Sequence, residues 1–323
     1  MKPFDLIIGA ALGVGLAACA SVETQDDLAS VADTAPAELV EDSGLDIVVH
    51  EGDFAEIQQF TTPGGVSVWL VSEPSIPILS VAMAWEGGEA ADPEGLEGLA
   101  DAVVYHMNEG AGDLDSLAFQ TRMEDLNMSF GCSASSDWTS CSASMLTDNA
   151  DEAMSLVAQA FEAPRFDAGP FARFQREREV SLNTRETNAR YLAGRAEAQA
   201  IYPDHPYARE TSAESIAALT PELAKAHMRK LMVKDSLIVT AVGAITPEEL
   251  APMLDAIAAS LPESSDLPET PEITFTVDGA FEPVLIDLPQ PQSLVRFLAP
   301  GLKREDPDFF TAYVVNYTYG GGG

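Results

Sequence analysis

The sequence predicts a globular protein that contains both helices and strands, and three observations support this. Of its 323 residues, 46% are hydrophobic and 21% charged, as in globular proteins. Short runs of β-branched and apolar residues bounded by Gly and Pro are typical of strands, and longer segments carry apolar residues at helical spacing. The length allows about two domains of roughly 150 residues each.

The first 18 residues have the pattern of a secretory signal peptide. An apolar run begins at Leu6 and is too short to span a bilayer. It ends in "LAAC", which resembles the lipobox of bacterial lipoproteins, where the cysteine (here Cys19) becomes the acylated first residue. Ala20 after this cysteine indicates the outer membrane by analogy. We therefore expect a signal peptide at 1–18, lipidation of Cys19, and a location in the bacterial cell envelope, on the periplasmic face of the outer membrane.

Residues 19–45 are predicted to be an acidic, disordered tether. They are rich in Ala and Ser and contain no aromatic residue, so they cannot bury much apolar surface. The pattern changes at about residue 46, and we expect the main folded domain to cover 46–262.

Strands are expected at four places in this domain. The runs "GVSVWLVSE" (65–73) and "ILSVAMAWEGG" (78–88) are two of them. "MSFGCSASSDWTSCSASM" (128–145) is predicted to be a hairpin that turns near Ser136 and Asp137. "DSLIVTAVGAI" (235–245) is a later strand.

Helices are predicted wherever the apolar residues follow helical spacing. Three such segments are 94–109, 114–127 and 149–162. A long charged helix is expected after Pro170, continuing with a break toward Ile201. Two later helices are each preceded by a capping threonine that a proline follows, Thr220 and Thr246.

The C-terminal part predicts a linker and the beginning of a second unit. Residues 263–274 are acidic and rich in proline, as linkers are. Residues 275–323 contain two strand-like runs and a helical run, and then the sequence stops in glycines. We expect them to be the truncated start of a second domain.

The charge of the chain excludes one class of function. The formal net charge is -35, and no Lys or Arg lies between Lys2 and Arg122. Nucleic-acid phosphates would be repelled, so nucleic-acid binding is not expected. No G-x-S-x-G, Walker or dinucleotide motif is present, so other enzyme classes have little support.

Several quoted motifs, in this order, resemble the pitrilysin or insulinase family of zinc peptidases. They are "WEGGEAADPEGLEGLAD", the "DWT" turn, "YPDHPYA", "LTPELAKAHMRKLM", "DSLIVTAVGAI" and "PDFFTAYVVNYTYGGGG". The resemblance covers roughly 47–323. It implies an α+β fold with two layers, a mostly antiparallel sheet covered by helices, followed by a second similar half. In the family, two such halves enclose a chamber that holds peptides.

The family binds zinc through an H-x-x-E-H motif that is degenerate in this chain. Two His one helical turn apart reach one Zn²⁺, and the Glu acts as general base on the bound water. Matching the family's "GLA" to 98–100 puts Asp101, Val104 and Tyr105 at the His, Glu and His positions. Valine cannot accept a proton, and tyrosine, with an ordinary pKa of about 10, is a poor zinc ligand. The resemblance therefore implies no catalytic or metal-binding residues here.

The position of the family's third ligand, a glutamate on the long helix, stays open. One alignment of the E-R-x-x-V-x-x-E pattern puts Thr184 there, and another puts Glu186 there. The alternative to a lost site is a rearranged one around His106, Glu109 and Glu186. That site would make the chain an active zinc metalloendopeptidase, although Gly110 stands where its second His would be.

The resemblance implies a catalytically inactive lipoprotein that partners a zinc-bearing homologous subunit and helps form a chamber for unstructured peptides. The lipid anchor would hold it to the membrane. No cofactor is expected, and zinc would be needed only if the rearranged site exists. A plain lipoprotein scaffold without peptide binding is the other alternative.

Cys132 and Cys141 are expected to face each other across the hairpin. A two-residue loop at Ser136 and Asp137 places residues whose numbers sum to 273 opposite one another. Opposed side chains come close enough for a disulfide at a non-hydrogen-bonded pair, and an exported protein folds in an oxidising compartment. Two thiols that merely pack are the alternative.

Overall fold

The coordinates, a computed structural model, describe residues 44–52, 55–273, 283–297 and 301–321. The predicted signal peptide, Cys19 and nearly all of the tether lie outside the described residues, so their predictions stay predictions.

Seven strands form one sheet. They are β1 (Val48–Glu51), β2 (Glu56–Thr61), β3 (Ser67–Ser72), β4 (Ile78–Glu86), β5 (Ser129–Ala134), β6 (Trp138–Leu146) and β7 (Ile238–Gly243). Their order across the sheet is β1-β2-β3-β7-β4-β6-β5. Every pair is antiparallel except β3 with β7. The mostly antiparallel sheet that the family resemblance implied is confirmed.

The strands expected within 46–262 are all present, and two further strands there were not predicted. The predicted runs at 65–73, 78–88 and 235–245 correspond to β3, β4 and β7, and the hairpin to β5 and β6. The missed strands are β1 and β2. In β2 only Ile57 and Phe60 are apolar, and only Phe60 is buried, so the alternation that predicts a strand is too short.

Nine helices are present in the described residues, besides short 3-10 turns and a π turn. They are α1 (Leu99–His106), α2 (Ser116–Asp125), α3 (Ala150–Glu162), α4 (Ala168–Arg185), α5 (Ala189–Ile201), α6 (Ala213–Ala218), α7 (Pro221–Leu231), α8 (Pro247–Ala258) and α9 (Phe309–Asn316). The long helix breaks between α4 and α5, where the Asn188 side chain caps α5 by accepting from two backbone N–H groups. Thr220 and Thr246 cap α7 and α8 as predicted, and Glu249 completes a capping box with Thr246.

The core lies between the helices and one face of the sheet. In β4 every second residue is buried, namely Leu79, Val81, Met83 and Trp85, and these pack in one cluster with buried residues of α1, α3, α4, α7 and α8. Full burial of a large apolar side chain contributes about 1.5–3 kcal/mol. The intervening residues Ser80 and Ala82 are exposed on the opposite face. The arrangement is therefore one layer of sheet and one of helices.

The predicted linker packs partly on the domain. The backbone N–H groups of Lys234 and Asp235 donate to the carbonyls of Pro262 and Glu263, at 2.9 and 3.1 Å. Leu267 contacts the core cluster. The chain from 262 to at least 267 therefore packs with the main domain, whose end the sequence predicted at residue 262.

The two strands expected after the linker do not form in the described residues. Residues 283–297 have no strand hydrogen bonding, and α9 buries none of its residues. A strand persists only where a neighbour takes up its N–H and C=O groups, and no described segment does so here. Helix α9 needs no such neighbour, because its backbone bonds are internal.

No helix in the described parts of the chain could span a membrane. None of the helices there combines the length and apolar character needed to cross a bilayer.

Candidate functional site

Helix α1 carries the degenerate motif, and a buried carboxylate fixes its first turn. Asp92 is 2% exposed and accepts backbone N–H bonds from Gly98, Leu99 and Ala100 at 2.8, 3.0 and 2.8 Å. The first N–H groups of a helix have no partner within the helix, and the helix dipole favours a negative charge there. Gly98 has φ +99°, and an added Cβ would lie 2.9 Å from the Ile216 side chain, so glycine is required.

The loop that carries Asp92 is held by residues far along the chain. Arg209 donates to the carbonyl oxygens of Asp92 and Ala90 at 2.6 and 2.5 Å. The Nε2 atom of His227, on α7, lies 3.2 Å from Asp92 Oδ1. The start of α1 is thereby fixed in position by groups on two other segments.

At the first motif position, Asp101 is paired with an arginine of α4. Both the Nε and Nη2 atoms of Arg178 donate to the Asp101 carboxylate, the latter at 2.8 Å. These hydrogen bonds raise the pKa of Arg178 above its ordinary value. Asp101 therefore faces a permanent cation where the family has a metal ligand.

At the second His position of the motif, Tyr105 makes two hydrogen bonds to α4. Its hydroxyl donates to Glu177 at 3.1 Å and accepts from Arg173 Nε at 3.0 Å. Burial raises the pKa of Tyr105 above its ordinary value. The guanidinium of Arg178 also lies 5.7 Å from the centre of the ring. The tyrosine is thus held in its protonated form, which does not coordinate zinc.

The general-base position holds no polar group. Val104 is 7% exposed and packs in the domain interior. Nearby Glu109 is bound by Arg173 at 2.6 Å and accepts from the Ser116 hydroxyl at 2.5 Å. The next carboxylate after Val104 in the sequence is therefore occupied by an ion pair.

The residues of the alternative zinc site are not arranged as one. The His106 side chain is fully buried, its Nδ1 lies 2.7 Å from the Ala102 carbonyl oxygen, and its ring stacks near Phe166 and Phe171. Burial lowers the pKa of His106. Glu186 pairs with Arg195 at 3.1 Å. Within the described ranges, no three His, Cys, Asp or Glu side chains are placed to hold a metal ion.

Thr184 and Glu186, the two candidates for the third ligand, also bond to residues other than the motif positions. The Thr184 hydroxyl donates to the carbonyl of Val180 in its own helix, at 3.0 Å. The polar α4 residues that contact the motif positions are Arg173, Glu177 and Arg178. The sequence did not predict these pairings, although three Arg and one Glu within 173–178 were visible as a charged run.

The donor set at the motif positions does not fit zinc. Catalytic zinc takes three protein ligands from His, Asp, Glu or Cys. Here Asp101, at the first His position, is paired with Arg178, and the second His position holds a protonated tyrosine. The two other carboxylates nearby, Glu109 and Glu177, both contact Arg173. Two guanidinium groups at this place would repel a dication.

The hairpin next to α1 carries a disulfide. Strand residues Cys132 and Cys141 pair directly, with their Cα atoms 4.0 Å apart and their sulfur atoms bonded. Ser135 N donates to Trp138 O at 2.8 Å, so the loop consists of Ser136 and Asp137 as the sequence predicted. Counting from that pair, 132 and 141 form a non-hydrogen-bonded pair, which is the closer kind.

Strand β5 forms one edge of the sheet. In the pairs 130–143, 132–141 and 134–139, the backbone N–H and C=O groups of β5 point away from β6. The carbonyl of Phe130 accepts from Asn108 Nδ2 at 3.2 Å, which fits this orientation. No hydrogen bond within the described part of the chain reaches the outward groups of Cys132 and Ala134. An unpaired strand edge therefore lies beside α1.

Comparison with known proteins places residues 67–213 in a family model described as Insulinase (Peptidase family M16). A curated relative from Helicobacter pylori, the non-peptidase homolog YmxG, is 23% identical over 250 residues, which cover 76% of this chain and 57% of the relative.

Solved structures show the same fold. The peptidase M16 inactive domain from Pseudomonas fluorescens is 24% identical, with a TM-score of 0.64 over 68% of this chain and 54% of that one. Pitrilysin is 19% identical, with a TM-score of 0.61 over 75% of this chain and 26% of that one. The chain thus spans little more than half of the length of the curated relative and of the Pseudomonas domain.

Proposed function

We propose that the chain is a non-catalytic member of the insulinase family. In this proposal it is a lipid-anchored subunit of the bacterial cell envelope that forms a peptide-binding chamber with a zinc-bearing homologous subunit. The observation that carries the loss of catalysis is the Asp101–Arg178 pair, with Tyr105 bound to Glu177 and Arg173. Arginine cannot be deprotonated in proteins, so the cations persist at any working pH.

The free edge of β5 supports peptide binding. An extended peptide adds to such an edge through main-chain hydrogen bonds, whatever its sequence. The outward groups of Cys132 and Ala134 supply donors and acceptors, and the disulfide fixes this strand to β6. Because α1 lies beside this edge, a bound peptide would run past the motif positions without meeting a metal-bound water.

The absence of hydrolysis is tested with the purified chain and an unstructured peptide. We expect no cleavage, and no change on adding a chelator. A zinc-bearing family member assayed in parallel shows that the peptide is cleavable. Chelator-sensitive cleavage that persists in an Asp101→Ala, Tyr105→Phe variant would point to a metal site elsewhere and overturn the proposal.

Peptide binding at the edge is tested with two variants at one position. Ala134→Pro removes an outward N–H group, whereas Ala134→Gly keeps it. We expect the proline variant to bind an extended peptide several-fold more weakly than the wild type, and the glycine variant to bind nearly as well. Equal binding by all three would place the peptide elsewhere.

Anchoring is tested by cell fractionation. The proposal rests on the apolar run from Leu6 and on "LAAC" at 16–19. We expect the wild type in the membrane fraction and Cys19→Ser in the soluble periplasmic fraction. A Cys19→Ser protein that remains with the membrane would mean that the anchor is not Cys19.

Partnership is tested by co-purification from the native host. We expect a homologue with an intact H-x-x-E-H motif to accompany the chain, and its peptidase activity to rise on adding the chain. A chain recovered alone, with no effect on such a homologue, would favour the plain scaffold.

A further inference from the structure

The sheet has a second face, on the side opposite the helices, which we call the outer face. In β3, β4, β6 and β7 every second side chain points to it, and these side chains are exposed or half-buried. Four large apolar side chains there, Ile78, Leu146, Ile238 and Val242, are 38–50% exposed. Ile78 pairs with Leu146, and Val242 pairs with Val71 of β3. The described residues therefore leave an apolar surface open to solvent.

The outer face carries no charge over most of these four strands. Its fourteen positions within 67–71, 78–84, 140–146 and 238–242 are all serine, threonine, alanine or a larger apolar residue. At the average of 21% charged residues in this chain, about three of the fourteen would be charged. Glu86, at the end of β4, is the nearest charge along these strands. Depletion of charge is typical of the centre of a protein interface.

The polar groups of the outer face are partly satisfied within it. The hydroxyls of Ser80 and Ser144 lie 3.0 Å apart, and those of Ser133 and Ser140 lie 3.1 Å apart. Hydroxyls that bond to one another are covered at little cost, because no donor or acceptor is left without a partner. The small side chains also allow close approach, and two sheets pack face to face at about 10 Å.

The charge of the chain favours a second copy as the partner for this face. With a formal net charge of -35, two copies repel each other wherever carboxylates face carboxylates. This repulsion is smallest at the outer face. A two-fold dimer brings the same surface of both copies together, so that surface must complement itself, as an uncharged sheet face does. A cationic partner would instead gain from the carboxylates elsewhere on the surface.

The size of the outer face sets the strength of such a dimer. Four strands about 4.8 Å apart and about seven residues long cover roughly 500 Å² on each copy. The total of roughly 1,000 Å² is at the lower limit for a specific interface. We therefore expect weak, reversible association, with a dissociation constant on the order of 10 µM.

We propose that two copies of this chain form a symmetric dimer by packing outer face against outer face. Ala82 lies near the centre of the contact, opposite Ser142 on β6 and Thr240 on β7. The outward backbone groups of β5 and the motif positions on α1 take no part in it. The dimer is therefore independent of the proposed peptide binding and of the zinc-bearing partner.

Analytical ultracentrifugation tests the dimer with the Cys19→Ser protein, which excludes association through lipid. We expect a shift from monomer to dimer between about 1 and 100 µM. Added salt should favour the dimer, because it screens the repulsion between the acidic copies. A chain that remains monomeric at the highest concentration, in high salt, would overturn the proposal.

Variants locate the contact. Ala82→Glu places two like charges in the interface and should weaken the dimer at least tenfold. Ser142→Glu should do the same, and circular dichroism checks that both variants keep their fold. Two controls probe other surfaces: Ala134→Pro blocks pairing through the β5 edge, and Val314→Glu charges α9, where Val314 is 62% exposed. Neither control should change the dimer. A dimer that survives both glutamates on the outer face, or is lost in either control, would contradict the proposed contact.

Discussion

Two polar networks hold the same short helix, α1, and they differ in burial. At its start, Asp92 and His227 are 2% and 3% exposed, and the carboxylate is saturated by backbone N–H groups. Along its flank, the side chains of Asp101 and Arg178 are each 29% exposed. The hydrogen bonds of the first network reach none of the three motif positions, whereas the second includes Asp101, one of them.

The difference separates the groups that hold the start of the helix from those at its motif positions. Buried, saturated groups are costly to remove because their partners are left without hydrogen bonds. Partly exposed ion pairs contribute little, since water and salt screen them. The flank can therefore change its residues while the helix keeps its place. This agrees with the proposal that the fold is kept while the residues at the motif positions differ from zinc ligands.

Breaking the buried network should have the largest effect. We expect Asp92→Ala to lower the free energy of unfolding by about 3 kcal/mol or more, because three buried N–H groups lose their acceptor at about 1 kcal/mol or more each. Chemical denaturation measures this. Asp92→Asn keeps one acceptor oxygen and should lose less. A loss below about 1 kcal/mol for Asp92→Ala would make the two networks equivalent.

His106 provides a second buried contribution, which depends on pH. Its pKa is lowered by burial, so the unfolded chain takes up the proton first as pH falls. The stability is complete above the unfolded pKa of about 6.5 and is lost as pH falls through the folded pKa, with a slope of at most about 1.4 kcal/mol per pH unit. His106→Phe should remove this part of the pH dependence. Denaturation midpoints between pH 7.5 and 5 test it, and identical slopes in both proteins would contradict it.

The exposed network should respond less. In a double-mutant cycle of Asp101→Ala and Arg178→Ala, we expect a coupling energy of about 0.5–1 kcal/mol, as for partly exposed pairs. The coupling should fall when salt is added. A salt-independent coupling above about 3 kcal/mol would show that the flank holds the helix as firmly as the buried base does.

The smallest expected effect is on metal binding by a restored motif. We expect Asp101→His, Val104→Glu, Tyr105→His to bind no stoichiometric zinc, because Arg173 and Arg178 remain beside the site. Zinc measured by elemental analysis checks this. Adding Arg173→Leu and Arg178→Leu should favour binding by freeing Glu177. One tightly bound zinc per chain in the triple variant would show that the arginines do not matter.

The sequence predicted local features well and long-range pairings poorly. Thr220, Thr246 and the hairpin turn were predictable because each depends on neighbours a few residues away. The α4 partners of Asp101 and Tyr105 were not predictable from the sequence. The position of α4 along α1 depends on packing between residues that are some seventy positions apart in the sequence. The family pattern on α4 was therefore aligned to Thr184 or Glu186, neither of which meets α1 in the structure.

The contacts of Asp92 at the start of α1 were not predicted, for a related reason. His227 had no visible partner in the sequence, because Asp92 lies 135 residues earlier. The hint was in "DPEGLEGLA", where an aspartate precedes a glycine-rich approach to a helix, an arrangement suited to capping from a distance.

The place of β7 in the sheet has a consequence for folding kinetics. The last strand of the domain in sequence lies between β3 and β4, which do not pair with each other. Until residues 238–243 arrive, the sheet consists of two separate three-stranded pieces with open edges. Its closure therefore awaits contacts of very long sequence separation, which slow folding. A nascent chain that does not yet include residues 238–243 remains an open intermediate that is prone to aggregate.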